Sequence, residues 1–417
     1  MYRGMAYLST LIAWARRRPA SALLAVLGVV AFAIGIWARL YHLGTPSSQV
    51  FDEVYFPVFA NDYLTHVNFF DVHPPLGKFI IALGVWVFGN VPFGWRIMPA
   101  VFGLGLPVLG GFTWYWWRKE RLGALLFAVF LAIETILIVY SRTGLMDGIQ
   151  TFFILAVFAA AVRIKRPEQV VWVALLLGMA CGVKWISLGV IVPVLYVMWR
   201  RKLLLPFLLS VPVVLAAYLV VVVVGQALTG STDPWQGMVL WHQQAWGYQL
   251  GLTATHPWSS KWWSWPLMLR PVLFYYQSDD QGRIMMITAL GNPILWWSST
   301  AAVVVSLFVV INAWWQAGWR KMLEHPLVPL LLGWSALFLP FIPVHRVMFI
   351  YHYLPSYAFA MLMLTDLLGR IWKRSPWPVV LFVAVVLGIS IYYLPFAMGL
   401  PLSPEGNQQH LWLQSWL

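Results

Sequence analysis

Asp52 and Glu53 stand side by side in FDEVYF, and about twenty residues later FDVHPPLGK sets Asp71, His73 and Lys78 around a pair of prolines. Further on come Arg96 in GWRIMPA, Arg142 and Asp147 in SRTGLMDG, Lys184 in GVKW, and Arg346, Tyr351 and His352 in PVHRVMFIYHYLP. Lys and Arg residues facing a carboxylate pair suit a reaction on a phosphorylated lipid: the cations hold the phosphate and a carboxylate takes a proton from the attacking group. Glycosyl transfer is the natural candidate, because a sugar attached to phosphate already has a good leaving group. One base and cationic stabilisation of the departing phosphate then suffice.

Each of these residues also has a structural reading. An acidic pair in a loop commonly caps a helix, and His73-Pro74-Pro75 can be a rigid turn between two helices. Arg142 and Lys184 can snorkel to headgroups, with Asp147 as the partner of Arg142. The tryptophans of HPWSSKWWSWPLMLRP suit the headgroup level, and His256 and Arg270 in that stretch are secondary candidates. The chain has no Gly-rich phosphate loop, His-Glu-X-X-His or Asp-X-Asp pair, which argues against ATP and nucleotide-sugar chemistry. No metal site is expected, although Asp52, Glu53, Asp71 and His73 could gather around a cation, so a divalent metal requirement stays open. The single cysteine, Cys181, excludes a disulfide framework or a Cys-based metal cluster.

The elements that must position these groups are membrane helices. Of 417 residues 61% are hydrophobic and only 10% charged, with 27 tryptophans, which marks a polytopic membrane protein. The net charge of +13 comes from short basic clusters between apolar runs, a topology signal and not a nucleic-acid surface. Apolar segments at 21–40, 96–117, 122–140, 148–163, 168–182, 185–199, 203–225, 295–316, 326–343, 347–368 and 377–396 predict about eleven transmembrane helices. With the N-terminus cytoplasmic, every predicted inside loop is basic, and the C-terminus falls outside. A twelfth span at 79–90 would invert every later loop, so that segment is expected to lie in the interface. The outer face then receives a first loop, 41–95, with the acidic pair, a second, 226–294, and a tail, 397–417. The expectation is an all-α integral membrane protein forming one domain over 1–417.

The string FDEVYFPVFANDYLTHVNFFDVHPPLGKFIIALG resembles the first external loop of the protein O-mannosyltransferases, integral-membrane enzymes of the GT-C class. SRTGLMDG, GVKW, HPWSSKWWSWPLMLRP and FIYHYLP resemble further blocks of that family, in its order, from residue 51 to about 355. The resemblance implies a GT-C fold and inverting transfer of mannose from a polyprenyl-phosphate-mannose donor to Ser or Thr hydroxyls of an acceptor protein, reached during export. It implies a multi-pass protein of the cell inner membrane with an external active site, in contact with membrane lipids and not nucleic acid. Asp52 becomes the base candidate with Glu53 beside it. Arg96, Arg142, Lys184, Arg346, His73 and Lys78 become candidates for the donor phosphate and sugar, supported by Asp71, Asp147, Tyr351 and His352. Eukaryotic members carry a β-trefoil insert in the second long loop, and 226–294 is too short for one. A GT-C transferase moving another lipid-linked sugar to lipid A or an envelope polymer is the nearest alternative. A secondary transporter is a more distant one, since no internal repeat is evident.

Overall fold

The computed structural model describes residues 15–416; residues 1–14 and 417 of the single-domain reading lie outside the described residues. In chain order the helices are α1 (Pro19–Leu40), α2 (Phe56–Thr65), α3 (Leu76–Phe88), α4 (Pro92–Arg118), α5 (Arg121–Ile133), α6 (Thr135–Arg142), α7 (Asp147–Arg163), α8 (Val170–Val183), α9 (Ile191–Arg200), α10 (Leu204–Leu209), α11 (Val211–Leu228) and α12 (Pro234–Gly251). A hairpin of β1 (Val272–Ser278) and β2 (Ile284–Ala289) follows, then α13 (Pro293–Glu324), α14 (Val328–Phe338), α15 (Leu354–Arg374), α16 (Trp377–Met398) and α17 (Pro404–Gln409). Many of these helices open on proline at the first or second position, where its missing N–H costs nothing and its fixed φ fits the turn.

Five stretches are long and apolar enough to cross a membrane: α1, α4, α10 with α11, α13 and α16. The bent pair α5 and α6 makes a sixth. Helix length and composition therefore do not reproduce the expected eleven among the described residues. Several expected spans are short helices eked out by 3-10 turns, such as Trp185–Val190 ahead of α9. α15 is long, but it is buried along most of its length and carries Asp366, so protein rather than lipid surrounds it. α3, at 13 residues, is about 20 Å long at ~1.5 Å per residue and falls short of the ~30 Å hydrocarbon core.

The hairpin departs from the all-α expectation. Val272, Phe274, Tyr275, Ile284 and Ile287 are β-formers, and the strands pair antiparallel with Ser278 opposite Ile284. Gly282, at φ +72°, closes the turn, where Asp279 accepts from the Gln281 and Arg283 backbone N–H groups.

A break inside an apolar helix strands backbone groups, and the break between α5 and α6 is fully provisioned. Arg39 of α1 donates to the carbonyls of Ala132 at 2.6 Å and Leu131 at 3.0 Å, which have lost helical partners. Glu134 at the bend accepts from the Asn292 backbone N–H at 2.8 Å and from Tyr357 Oη at 2.7 Å. The 57° bend is thereby built into the fold, and it aims α6 with Arg142 toward the loop of residues 41–95. Glycines bring α3 against α4 backbone to backbone: a Cβ on Gly84 would meet the Gly94 carbonyl oxygen at 2.4 Å. That close approach sets Arg96, half a turn on, under the first loop.

Candidate functional site

Glu53 is fully buried in the 3-10 turn Phe51–Val54. One carboxylate oxygen accepts from Arg96 Nε at 2.8 Å and Gly144 N at 2.7 Å; the other accepts from Arg96 Nη2 at 2.7 Å and Val50 N at 3.0 Å. Arg96 spends its remaining donors on the carbonyls of Leu43, Pro46 and Ser48. A guanidinium has five N–H groups, and all five are taken. Arg142 donates to the carbonyls of Ala38, Tyr41 and His42 at the end of α1 through Nη1 and Nη2. Arg96 and Arg142 thus fasten the first loop through these contacts.

Asp52 is the contrary case. It is half-buried, and its carboxylate has no hydrogen-bond partner among the described residues. Burial first, then the neighbouring charge of Asp147, push its carboxyl up to about 7 against the pull of Lys184, with Asp71 adding to the rise. A carboxylate of that kind is poised to take a proton near neutral pH.

Around Asp52 several elements converge. Asp147 opens α7 and Lys184 follows the end of α8; their side chains meet at 2.7 Å. Lys184 Nζ also sits 5.2 Å from the ring centre of Tyr351, whose turn Ile350–Tyr353 precedes α15. His73, Lys184, Arg346 and His352 line a cavity of about 760 Å³, whose other walls include Trp185, Trp246, Leu250 and Phe341. The cavity thus has a cationic end and an apolar flank. Burial, then Lys184, Lys78 and Arg346, hold the His73 imidazole well below its ordinary range, so it is neutral there. A second, more polar cavity of about 590 Å³ adjoins through His345 and Arg346 and is lined by Thr253, Thr255, Ser259, Ser260 and Lys261.

The FDVHPPLGK stretch closes on itself. Lys78 pairs with Asp71 and donates to the His73 carbonyl at 2.7 Å, while Trp241 of α12 donates to the Asp71 carbonyl at 2.8 Å. Lys78 is buried and does not line the cavity; its loop presents His73, which does. His352 stacks on Trp265, with centroids 5.7 Å apart, and lines the cavity too. His256 accepts from Trp258 N at 3.1 Å and packs edge-on to Phe51. Arg270 is half-buried, donates to the Pro257 carbonyl and covers the Trp258 ring, so it shapes the tryptophan loop. Among the described residues no group of three or more His, Cys, Asp or Glu is placed to hold a metal ion. Glu53 is engaged by Arg96, and Asp71 by Lys78.

Tyr140 escaped the sequence reading. Its ring packs 6.0 Å from that of Tyr351, and its buried hydroxyl has no partner among the described residues. In sequence it stands two residues before Arg142 like any interfacial aromatic, and only its surroundings single it out. Phe51 adopts the left-handed region at φ +46°, rare for an aromatic residue, directly before Asp52.

Two family models cover nearly the whole chain. The model described as dolichyl-phosphate-mannose-protein mannosyltransferase matches residues 29–95 and 89–229, and that described as the C-terminal four-transmembrane region of protein-O-mannosyltransferase matches 234–416. A polyprenol-phosphate-mannose--protein mannosyltransferase of Mycobacterium tuberculosis is 28% identical over 89% of this chain and 87% of its own length. The protein of the same name from Mycolicibacterium smegmatis is 25% identical over 92% and 91%. Among solved structures, the S. cerevisiae protein O-mannosyltransferase Pmt1-Pmt2 complex bound to the sugar donor superposes with a TM-score of 0.83 at 17% identity, covering 96% of this chain and 93% of that one. ArnT from Cupriavidus metallidurans bound to undecaprenyl phosphate superposes at 0.56 with 14% identity, covering 91% and 75%. The last two likenesses are likenesses of fold.

Proposed function

Since the chain belongs to the protein O-mannosyltransferase family, a group of multi-span membrane enzymes of the GT-C type, we propose that it moves mannose from polyprenyl-phosphate-mannose to a Ser or Thr hydroxyl of an acceptor protein. The observation that carries this reading is the unpartnered Asp52 carboxylate, set beside the Lys184–Asp147 pair and near a cavity with a cationic end and an apolar flank. The mannosyl phosphate enters that cavity with its phosphate toward Lys184 and Arg346, while the polyprenyl chain lies along Trp246, Leu250 and Phe341. The acceptor hydroxyl approaches from the adjoining polar cavity.

Asp52 takes the hydroxyl proton as the acceptor oxygen bonds to the anomeric carbon. The bond from that carbon to the phosphate oxygen breaks with its electron pair, and the polyprenyl phosphate leaves with its negative charge beside Lys184 and Arg346. Attack and departure on opposite faces of the sugar invert the anomeric centre. No general acid is required, and in this scheme Arg96, Arg142 and Glu53 hold the loop that aims Asp52.

We place the reaction at the external face of the cell inner membrane with the N-terminus cytoplasmic. In support, Arg118, Arg121, Arg163, Arg200, Lys321 and Arg374 all stand at the helix ends away from Asp52, as the positive-inside rule requires. The test offers purified enzyme in proteoliposomes labelled polyprenyl-phosphate-mannose or GDP-mannose, with a Ser/Thr peptide or a lipid A acceptor. Transfer from the lipid donor to the peptide is expected. Transfer from GDP-mannose alone, or to lipid A alone, would overturn the assignment.

A further inference from the structure

The reaction leaves one built cavity unused, at the far end of the helices that carry the site. α7 runs for 17 residues from Asp147 to Arg163, a rise of about 25 Å at ~1.5 Å per residue. There a cavity of about 540 Å³ opens between the ends of α4 and α7 and the start of α8. Arg163, Lys165 and Arg166 rim it, and Leu109, Ala156 and Ala160 form its wall. Ala156 lies two turns up α7 from Arg163, about 10 Å deeper toward the membrane interior.

The rim is held in place before any ligand arrives. Arg201 donates to the carbonyls of Val162 and Ile164, and the Gln169 side-chain carbonyl accepts from the backbone N–H groups of Lys165 and Arg166 at 2.9 and 3.3 Å. The Arg163 guanidinium is stacked 4.7 Å from the ring centre of Trp116.

Positive loops at a membrane surface need no special ligand, but several cations at this end already have one. Asp366 takes Arg118 and Arg370, Glu120 takes Lys373, and Glu324 takes Lys321. Among the described residues Arg163 and Lys165 have no acidic partner, and Arg166 reaches Glu168 only at 4.0 Å between two exposed side chains. Three cations within four residues, one of them stacked, stand over a dent whose walls are largely apolar, with Leu109, Trp172 and Leu176 beside the alanines of α7. A free phosphate would satisfy the rim and leave the wall empty.

We propose that this cavity binds one anionic glycerophospholipid, its phosphodiester against Arg163, Lys165 and Arg166 and an acyl chain along Leu109, Ala156 and Ala160. The fork of Arg163 suits two phosphate oxygens, and the lysine adds a point charge.

The test is native mass spectrometry of the full chain released from detergent after equilibration with phosphatidylglycerol, phosphatidylcholine or inorganic phosphate. One phosphatidylglycerol per chain is expected to survive, at least tenfold more often than phosphatidylcholine. The R163Q/K165Q/R166Q variant should lose it, while K119Q/R320Q, which removes the same kind of charge outside the cavity, should retain it. Ala160→Phe fills the wall with the charges intact and should also lose it, so a misfolded triple variant cannot decide the outcome alone. Equal retention of both lipids, or retention unchanged in the triple and Ala160→Phe variants, would overturn the proposal. Competition by millimolar inorganic phosphate that strips the lipid would reduce the site to a free-anion site and equally sink it.

Discussion

Glu53 and Arg96 meet as a two-pronged buried pair, Nε to Oε1 at 2.8 Å and Nη2 to Oε2 at 2.7 Å, beside a neighbouring Asp52 whose carboxylate has no hydrogen-bond partner among the described residues. Adjacent acids therefore stand in opposite states: one ties the loop of residues 41–95 to α4, and the other carries no such bond.

Removing one member of a buried, hydrogen-bonded ion pair strands the other, at a cost of about 3–5 kcal/mol. Glu53→Gln and Arg96→Ala are thus expected to lower thermal stability of the purified protein sharply. Arg96→Lys should recover little, because an ammonium cannot span both carboxylate oxygens and the three loop carbonyls. Either variant melting within a degree or two of wild type would show that the pair does not hold the loop.

Asp52→Asn should behave differently, losing ~10²–10⁴ in kcat/KM while remaining folded. With the carboxyl near 7, kcat/KM of the wild type should rise with pH across 6 to 8, where the ionised fraction goes from about one tenth to about nine tenths. The stability sign is the reverse. The folded-state pKa lies above the ordinary 3.8, so the fold favours the protonated acid, and stability is lost as pH climbs from about 4 through 7. The Asn variant should melt higher than wild type at pH 8 and no higher near pH 3.5. A less stable Asn variant at pH 8 would contradict the placement of Asp52.

Lys184→Met and Arg346→Ala test the cationic end of the cavity. Each should raise the donor KM and lower kcat, since the same charge holds the bound phosphate and the departing one. Lys184→Met also strands Asp147, so the double change with Asp147→Asn should regain stability without regaining activity. Recovery of both together would make the pair structural only.

Tyr140→Phe removes a buried hydroxyl that has no hydrogen-bond partner among the described residues. Stability should hold or improve. If that hydroxyl serves the bound donor, affinity should fall about two- to tenfold, the worth of one net hydrogen bond at ~0.5–1.5 kcal/mol. Isothermal titration with a non-transferable donor analogue reads this directly, and unchanged affinity would exclude the contact.

The sequence by itself determined the membrane class, the order of the apolar segments and the identity of most of the polar residues near the site. Those follow from composition and from local strings such as FDEVYF and FDVHPPLGK, in which charge amid hydrocarbon is conspicuous one residue at a time. Tertiary structure decided which of those charges are free. Whether Arg96 can meet a phosphate depends on the Glu53 carboxylate and on carbonyls 48 to 53 residues earlier, and whether Arg142 can depends on the end of α1. Nothing in GWRIMPA or SRTGLMDG states those distances. Helix length and composition do not reproduce the expected count of spans for a related reason. Hydropathy registers where a chain avoids water, whereas the bend at Glu134 and the burial of α15 come from partners on α1, α13 and α14 that satisfy polar groups inside the membrane. Tyr140 shows the limit most sharply, because an unsatisfied hydroxyl is a property of everything that does not touch it.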